Sequence, residues 1–223
     1  MSLNKQGPRK IDWCDYTWNP ISGCLHGCDY CYMRRMEKRF PGIMEPTFHL
    51  GRLADPLNLK EPSRIFVGSS GDMWGEWVDE EWIDDVLDVC EVFAPQHTYQ
   101  FLTKNPIRYA HFDLPKNGWY GTTLDGSERT KDNYIDLIFS VDVKRRFISF
   151  EPLLAGVDLN LAGIQWVIIG ANSNRGAPKP PDEWADRIIE IARECGGAVW
   201  VKDNYQYHLR IKEFPKNYQG KPA

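Results

Sequence analysis

The sequence lacks any apolar run that approaches the roughly 20 residues needed to cross a membrane. Its N-terminal stretch also lacks the apolar core of a secretory signal peptide. These two absences predict a cytoplasmic protein with no membrane segment. The formal net charge of −4 and the pI of about 5.8 are not typical of a protein that coats nucleic acid, although a local basic face is compatible with both values.

Internal repeats, low-complexity tracts and a second cysteine cluster are absent as well. The chain has six cysteines in 223 residues. In a reducing compartment disulfides are rare, and clustered cysteines more often bind metal or do redox work. Cys90 and Cys195 lie within apolar helical patterns and are interpreted as small buried residues, whereas Cys14 stays ambiguous. The function therefore depends on what the other three thiols bind.

Short apolar runs rich in β-branched and aromatic residues recur along the chain and predict seven strands. The strands are expected near Tyr16–Asn19, Arg64–Ser69, Thr98–Thr103, Trp119–Thr123, Arg146–Phe150, Trp166–Gly170 and Ala198–Lys202. Helical periodicity predicts helices over Met33–Arg39, Asp79–Phe93, Lys131–Phe139 and Pro181–Cys195. This alternation favours an α/β fold whose parallel sheet curls into a barrel or partial barrel. We expect one domain over residues 1–223, with a core of about 15–202 and an irregular tail over 203–223.

The clustered cysteines have the spacing C-x3-C-x2-C, and a short helix is expected directly after them. A structural zinc site usually has four ligands, often from two paired CxxC motifs, and the second pair is missing here. His26 or Cys14 could supply a fourth ligand, so zinc stays open. Three thiolates alone suit an iron–sulfur cube that keeps one iron for substrate. Gly23 and Gly27 would let the backbone wrap closely around such a cluster.

This motif, with Tyr30 just before its last cysteine, resembles that of the radical S-adenosylmethionine (radical SAM) superfamily. At the level of fold the resemblance covers about Asp15–Lys202. Several further motifs are similar to those of an uncharacterised phage-associated family of radical-SAM-like proteins. These motifs are Trp18-Asn19-Pro20, Gly23-Cys24, Cys31-Tyr32, Ser149-Phe150-Glu151-Pro152-Leu153 and Ile168-Ile169-Gly170.

The resemblance implies a partial (βα)6-type barrel in which Cys24, Cys28 and Cys31 hold a 4Fe–4S cluster. The free iron would bind S-adenosylmethionine, whose reductive cleavage gives a 5′-deoxyadenosyl radical that abstracts hydrogen from a substrate. A small electron-donor protein of the flavodoxin or ferredoxin type is the implied partner. The substrate is not identified: a nucleobase, a nucleic acid and a peptide are all open, and no catalytic residue is assigned.

The cofactor residues implied by the resemblance follow the ends of strands, where the functional face of a βα barrel lies. A glycine-rich stretch after the second strand would bind the methionine amino group, although it ends in Asp72 where the superfamily often has Glu. The alternative for Asp72 is a helix cap. The full set of expected cofactor-binding residues is Tyr30, Ser69, Ser70, Gly71, Asp72, Thr122, Thr123, Glu151, Gly170 and Asn172.

Two rival interpretations remain. The first is a zinc-binding module with a structural or nucleic-acid-interaction role. The second is a degenerate barrel that has kept the fold and binds no cofactor. Arg34, Arg35, Lys38 and Arg39 form a basic patch after the cysteines, either as a solvated helix face or as a docking site for a phosphate-bearing substrate or an acidic electron donor.

Overall fold

The structure, a computed structural model, describes residues 3–7, 10–216 and 218. The chain forms two compact units, one built from residues up to Trp119 and the other from Tyr120 to Tyr218. Among the described residues, no helix has both the length and the apolar character required to cross a membrane.

The first unit contains the first three predicted strands. In chain order its strands are β1 (Asn4–Lys5), β2 (Tyr16–Trp18), β3 (Ile21–Ser22), β4 (Thr47–Phe48), β5 (Arg64–Val67) and β6 (Thr98–Thr103). The spatial order is β1-β2-β5-β6, in which β1 is antiparallel to β2 and the remaining pairs are parallel. β3 and β4 form a separate antiparallel pair that the sequence did not predict. All four residues of β5 are buried, as expected of a strand covered on both faces.

Two α-helices belong to the first unit. α1 spans Tyr32–Met36, shorter than the predicted Met33–Arg39, and α2 spans Glu80–Asp88 before a π-helical turn over Val89–Phe93. The apolar face of α2 buries Ile83, Val86 and Leu87. Three short 3₁₀ helices complete the unit, at Leu50–Arg52, Asp55–Asn58 and Pro106–His111.

The second unit has four strands that are parallel and adjacent in chain order. They are β7 (Gly118–Thr123, which starts at the end of the first unit), β8 (Arg146–Phe150), β9 (Trp166–Ile169) and β10 (Ala198–Val201). In the described part of this unit, two α-helices accompany them, α3 (Asn133–Ile135, continued by a π turn over Asp136–Ser140) and α4 (Asp182–Glu194). A short 3₁₀ helix spans Asp203–Tyr205. All seven predicted strands and the four predicted helical regions are therefore present.

The tail predicted to be irregular is partly ordered. Lys212 forms an antiparallel bridge with Trp200, and the ring of Phe214 lies 4.7 Å from that of Trp200. Ile211 is buried. The tail therefore packs on β10 and also on β9, where the ring of Tyr218 lies 5.3 Å from that of Trp166. Residues 217 and 219–223 lie outside the described part of the chain.

Candidate cofactor site

The three clustered cysteines lie on the loop that joins β3 to α1. Cys31 is the N-cap residue of α1, and its backbone N–H donates to the carbonyl of Cys28 at 3.1 Å. Cys28 is buried, whereas Cys24 and Cys31 are half-buried. The loop thus follows the end of the first parallel strand after only a short hairpin strand, as the sequence predicted.

The thiols match iron in their chemistry, because thiolates are the ligands that iron–sulfur clusters use. Among the described residues, however, no group of three or more His, Cys, Asp or Glu side chains is gathered closely enough to hold a metal ion. Burial, with the nearby Asp72 and Cys28, raises the pKa of the Cys24 thiol to about 12. A metal that binds here must therefore displace a tightly held proton and draw the three sulfurs together.

The start of this loop is pressed against the glycine-rich stretch that follows β5. Gly23 pairs with Gly71 in a parallel bridge, and the N–H of Asp72 donates to the carbonyl of Gly23 at 3.2 Å. A Cβ atom on Gly71 would lie 2.5 Å from the carbonyl oxygen of Gly23. Gly23 itself has φ of +88°, a conformation that favours glycine. Gly71 is required because the two backbones touch here, and Gly23 is required because of its positive φ.

The serines of the same glycine-rich stretch form hydrogen bonds with other residues of the protein. The backbone N–H of Ser70 and the hydroxyl of Ser69 both donate to the side-chain oxygen of Asn19, at 2.8 and 3.2 Å. The hydroxyl of Tyr32 donates to the carbonyl of Ser69 at 2.8 Å. Ser69, Ser70 and Gly71, predicted to bind cofactor, therefore brace both ends of the cysteine loop.

Asp72 is the most heavily bonded carboxylate near the loop, and only 6% of its surface is exposed. Its Oδ2 accepts hydrogen bonds from the hydroxyl of Thr103 at 2.9 Å and the backbone N–H of Lys104 at 3.0 Å, and it lies 2.8 Å from Nε2 of His26. Its Oδ1 accepts from the N–H of Trp74 at 3.0 Å. Burial alone would raise the pKa of this carboxyl, but the His26 interaction and the other hydrogen bonds hold it below its usual value.

His26 and Cys14, the two residues considered as a fourth zinc ligand, occupy different places. Nε2 of His26 faces Asp72, and its ring packs edge-on against Trp77 with centroids 4.8 Å apart. Cys14 precedes β2, is buried, and lies with its sulfur 3.6 Å from the carbonyl of Ile11. Burial raises its pKa well above the ordinary value. In the described part of the chain, neither residue joins the loop cysteines in a ligand group.

Tyr30 lies beneath a cation. The ammonium of Lys104 sits 5.7 Å from the centre of the Tyr30 ring. Lys104 also donates its backbone N–H to Asp72, so the end of β6 contacts both the loop and the stretch that follows β5. The contact between Lys104 and Tyr30 was not predicted from the sequence.

The predicted residues of the second unit lie at the ends of its strands. Glu151 directly follows β8 and forms an ion pair with Lys202, which directly follows β10. Gly170 follows β9, and a Cβ atom there would lie 2.9 Å from the carboxyl carbon of Glu151. The sequence pointed to Glu151 and Gly170, whereas Lys202 as the partner of Glu151 was missed. Lys202 could have been found from the sequence, because it stands at the end of a predicted strand, much as Glu151 does.

Thr122, Thr123 and Asn172 differ in burial, since Asn172 is half-buried. Both threonines are buried within β7. The side-chain oxygen of Asn172 accepts from the N–H of Asn174 at 3.0 Å, which closes a turn. Their predicted roles toward ribose and adenine stay predictions.

Comparison with solved structures identifies the fold. A cysteine-to-alanine mutant of spore photoproduct lyase with dinucleoside spore photoproduct superimposes with a TM-score of 0.59, at 10% identity, over 90% of this chain and 79% of that one. A second mutant of the lyase, with bound AdoMet and dinucleoside spore photoproduct, gives 0.55 at 11% identity, over 88% and 78% of the two chains. The fold is therefore the α/β partial barrel predicted from the sequence.

At the level of sequence the chain belongs to a family described as a protein of unknown function (DUF5131), whose profile matches residues 8–221. No curated protein matches the chain. The family assignment thus brings no activity, and function must be argued from the site.

Proposed function

We propose that this protein is a radical SAM enzyme that holds a 4Fe–4S cluster on Cys24, Cys28 and Cys31. With S-adenosylmethionine bound, such a cluster supplies one-electron cleavage of the sulfonium and a 5′-deoxyadenosyl radical for hydrogen abstraction. The observation that carries the proposal is the position of the motif. C-x3-C-x2-C occupies the loop after the first parallel strand of a fold shared with spore photoproduct lyase, a radical SAM enzyme.

The residues around the loop have a definite part in this proposal. Hydrogen bonds join the Ser69–Asp72 stretch to Gly23, His26 and Tyr32, and they would keep the loop in place when the cysteines hold iron. The loop glycines would allow backbone N–H groups to donate hydrogen bonds to the sulfurs of a bound cluster. Glu151, Thr122, Thr123, Gly170 and Asn172 are proposed to contact S-adenosylmethionine.

The proposal includes a cytoplasmic location and an electron donor of the flavodoxin or ferredoxin type. Arg35, Lys38 and Arg39 are exposed in and just after α1, next to the cysteine loop. Within the described residues none of the three forms an ion pair with a carboxylate. A cationic surface beside the cluster suits an acidic donor, because complementary charge accelerates encounter.

Anaerobic reconstitution tests the proposal. Wild-type protein should take up about four iron and four sulfide per chain and absorb broadly near 400 nm, roughly as thiolate-bound clusters do. Reduction with dithionite in the presence of S-adenosylmethionine should then release 5′-deoxyadenosine. Cys28→Ala should fail in both measurements while its circular dichroism stays unchanged, because the apolar core does not depend on metal.

The rival interpretations predict other results. One zinc per chain that iron does not displace would identify a zinc module. An intact cluster that neither binds nor cleaves S-adenosylmethionine would contradict radical chemistry, and no uptake of any metal would point to a degenerate barrel.

A further inference from the structure

A cavity of about 420 Å³ lies in the first unit between α1, the β3–β4 hairpin and the segment that follows it. This volume is within the range of sites that bind small organic ligands. None of the lining residues except Ser70 was predicted as a cofactor contact. The proposed cofactor chemistry therefore leaves most of the cavity unused.

The cavity is connected to the cysteine loop by hydrogen bonds. The N–H of Cys24 donates to the carbonyl of Met44 at 2.9 Å, and the carbonyl of Glu45 touches Gly23. Glu45 and Ser22 line the cavity. A ligand held there would thus lie next to the residues that are proposed to hold the cluster.

One side of the cavity is apolar. Met33 is buried in α1 and forms part of the wall together with Ile43 and Phe40. The ring of Phe40 is 45% exposed, and the guanidinium of Arg39 lies 5.2 Å from its centre. An exposed aromatic ring beside a cation is the arrangement that stacks on a nucleobase and attracts its phosphate.

The other side carries two opposite charges that are not paired with each other. Arg52 donates to the carbonyl of Asn19 at 3.2 Å, and its own carbonyl accepts from the indole of Trp18 at 2.8 Å, which holds the backbone in place. Within the described residues, Arg52 forms no ion pair with a carboxylate, and the Glu45 carboxylate has no hydrogen-bond partner. A ligand that satisfies both must present an anion and a hydrogen-bond donor.

His49 and Ser22 also line the cavity. Nε2 of His49 lies 2.8 Å from the hydroxyl of Ser22, and both side chains face the cavity. They add donors and acceptors of the kind that bind phosphate and sugar oxygens. The cavity therefore offers a ligand three kinds of contact: an aromatic or apolar surface, a carboxylate that accepts hydrogen bonds, and a cation.

From this combination we infer that the cavity binds a nucleotide, free or within a single strand, as the substrate of the proposed radical chemistry. The base stacks on Phe40 and Met33, its exocyclic amine donates to Glu45, and its phosphate pairs with Arg52. The inference rests on the proposed function for the reaction but not for binding, which metal-free protein should show.

Fluorescence anisotropy of metal-free protein with a fluorescein-labelled single-stranded DNA hexamer of mixed sequence tests the inference. Wild-type protein should bind the probe, and unlabelled guanosine monophosphate should compete better than ribose 5-phosphate. Phe40→Ala should weaken binding about 5- to 100-fold, as expected for loss of one base-stacking contact. Phe139→Ala removes a phenylalanine that is 78% exposed in the second unit, and it should leave binding unchanged.

Two charge variants refine the test. Glu45→Gln should reduce the preference for guanosine over uridine monophosphate about 5- to 100-fold, because a carboxylate accepts from exocyclic amines. Arg52→Gln should reduce the slope of log affinity against log salt by about 0.7, the contribution of one phosphate contact on a single strand. The melting temperature of each variant is measured to verify folding.

Several results would overturn the inference. Equal effects of Phe40→Ala and Phe139→Ala would exclude stacking in this cavity. Polyglutamate that displaces the probe while Phe40→Ala has no effect would indicate an acidic protein partner on the α1 surface. Competitive displacement by methionine or S-adenosylmethionine would assign the cavity to the cofactor. Because none of these measurements needs iron, their failure is distinct from a failure to assemble the cluster.

Discussion

Nε2 of His26 lies 2.8 Å from Oδ2 of Asp72, and this contact joins the middle of the cysteine loop to the end of β5. The same Oδ2 accepts hydrogen bonds from Thr103 and Lys104 at the end of β6. A single buried carboxylate thus holds together three segments that are 46 and 31 residues apart in sequence. The proposed cluster loop is therefore positioned by this contact before any metal arrives.

The first prediction concerns the loss of that carboxylate. Asp72→Asn should lower the free energy of unfolding at pH 7 by about 2–4 kcal/mol, because the amide cannot accept from all of its buried donors. Urea unfolding followed by circular dichroism measures the difference. Asp84→Asn, on an exposed position of α2, removes the same charge and should change stability by less than about 0.5 kcal/mol.

The pH dependence of stability should also change in this variant. The folded-state pKa of Asp72 lies below the ordinary value of 3.8, so its stabilisation is complete above about pH 4 and is lost as the pH falls through the folded pKa. Wild-type stability should therefore decline below about pH 4 more steeply than that of Asp72→Asn. Parallel acid unfolding curves for the two proteins would argue against a depressed pKa.

A second prediction concerns the contact between the two backbones. Gly71→Ala should reduce stability by more than about 2 kcal/mol and impair iron uptake, because its Cβ would meet Gly23 at 2.5 Å. Gly51→Ala is the matched control, since no atom lies within 4 Å of a Cβ there. If both variants behave alike in thermal unfolding and iron analysis, Gly71 is not needed for the close approach to Gly23.

A third prediction separates the loop cysteines from the buried ones. Cys14→Ala and Cys90→Ala should each cost about 1 kcal/mol of packing stability and leave iron content unchanged. Both thiols are buried away from the loop, Cys14 before β2 and Cys90 in the π turn after α2. Iron analysis after reconstitution decides the matter. Loss of iron from Cys14→Ala as complete as that from Cys28→Ala would refute a cluster with three protein ligands.

A fourth prediction concerns the ion pair of the second unit. The side chains of Lys202 and Glu151 are only 16% and 25% exposed, so their interaction is partly shielded from water. A double-mutant cycle with Glu151→Gln and Lys202→Met should give a coupling energy of about 1–3 kcal/mol. The exposed pair of Lys131 and Glu128 should show much weaker coupling. Equal coupling energies for both pairs would show that partial burial does not strengthen the interaction between Glu151 and Lys202.

Much of the fold was determined locally and could be predicted. The continuous apolar run Trp166–Ile169 indicated a strand buried on both faces, and β9 covers the same four residues. The periodicity over Pro181–Cys195 indicated a helix, and α4 spans Asp182–Glu194. Such patterns are visible because the burial of neighbouring side chains repeats with the period of the element itself. The cysteine spacing is local in the same sense.

Tertiary structure alone decided which of these residues meet. The β3–β4 pair and the cavity beside it depend on a long segment with no periodic pattern, so neither could be predicted. The register of β5 and β6 places Asp72 against Thr103, Lys104 and His26, and its expected contact with a cofactor stays a prediction. Glu151 forms an ion pair with Lys202 because β8, β9 and β10 are adjacent and parallel, so that the carboxyl ends of these strands lie at one edge of the sheet. The amino-acid sequence determines which side chains stand at strand ends, whereas strand order and register determine their partners, because those contacts join residues far apart in the chain.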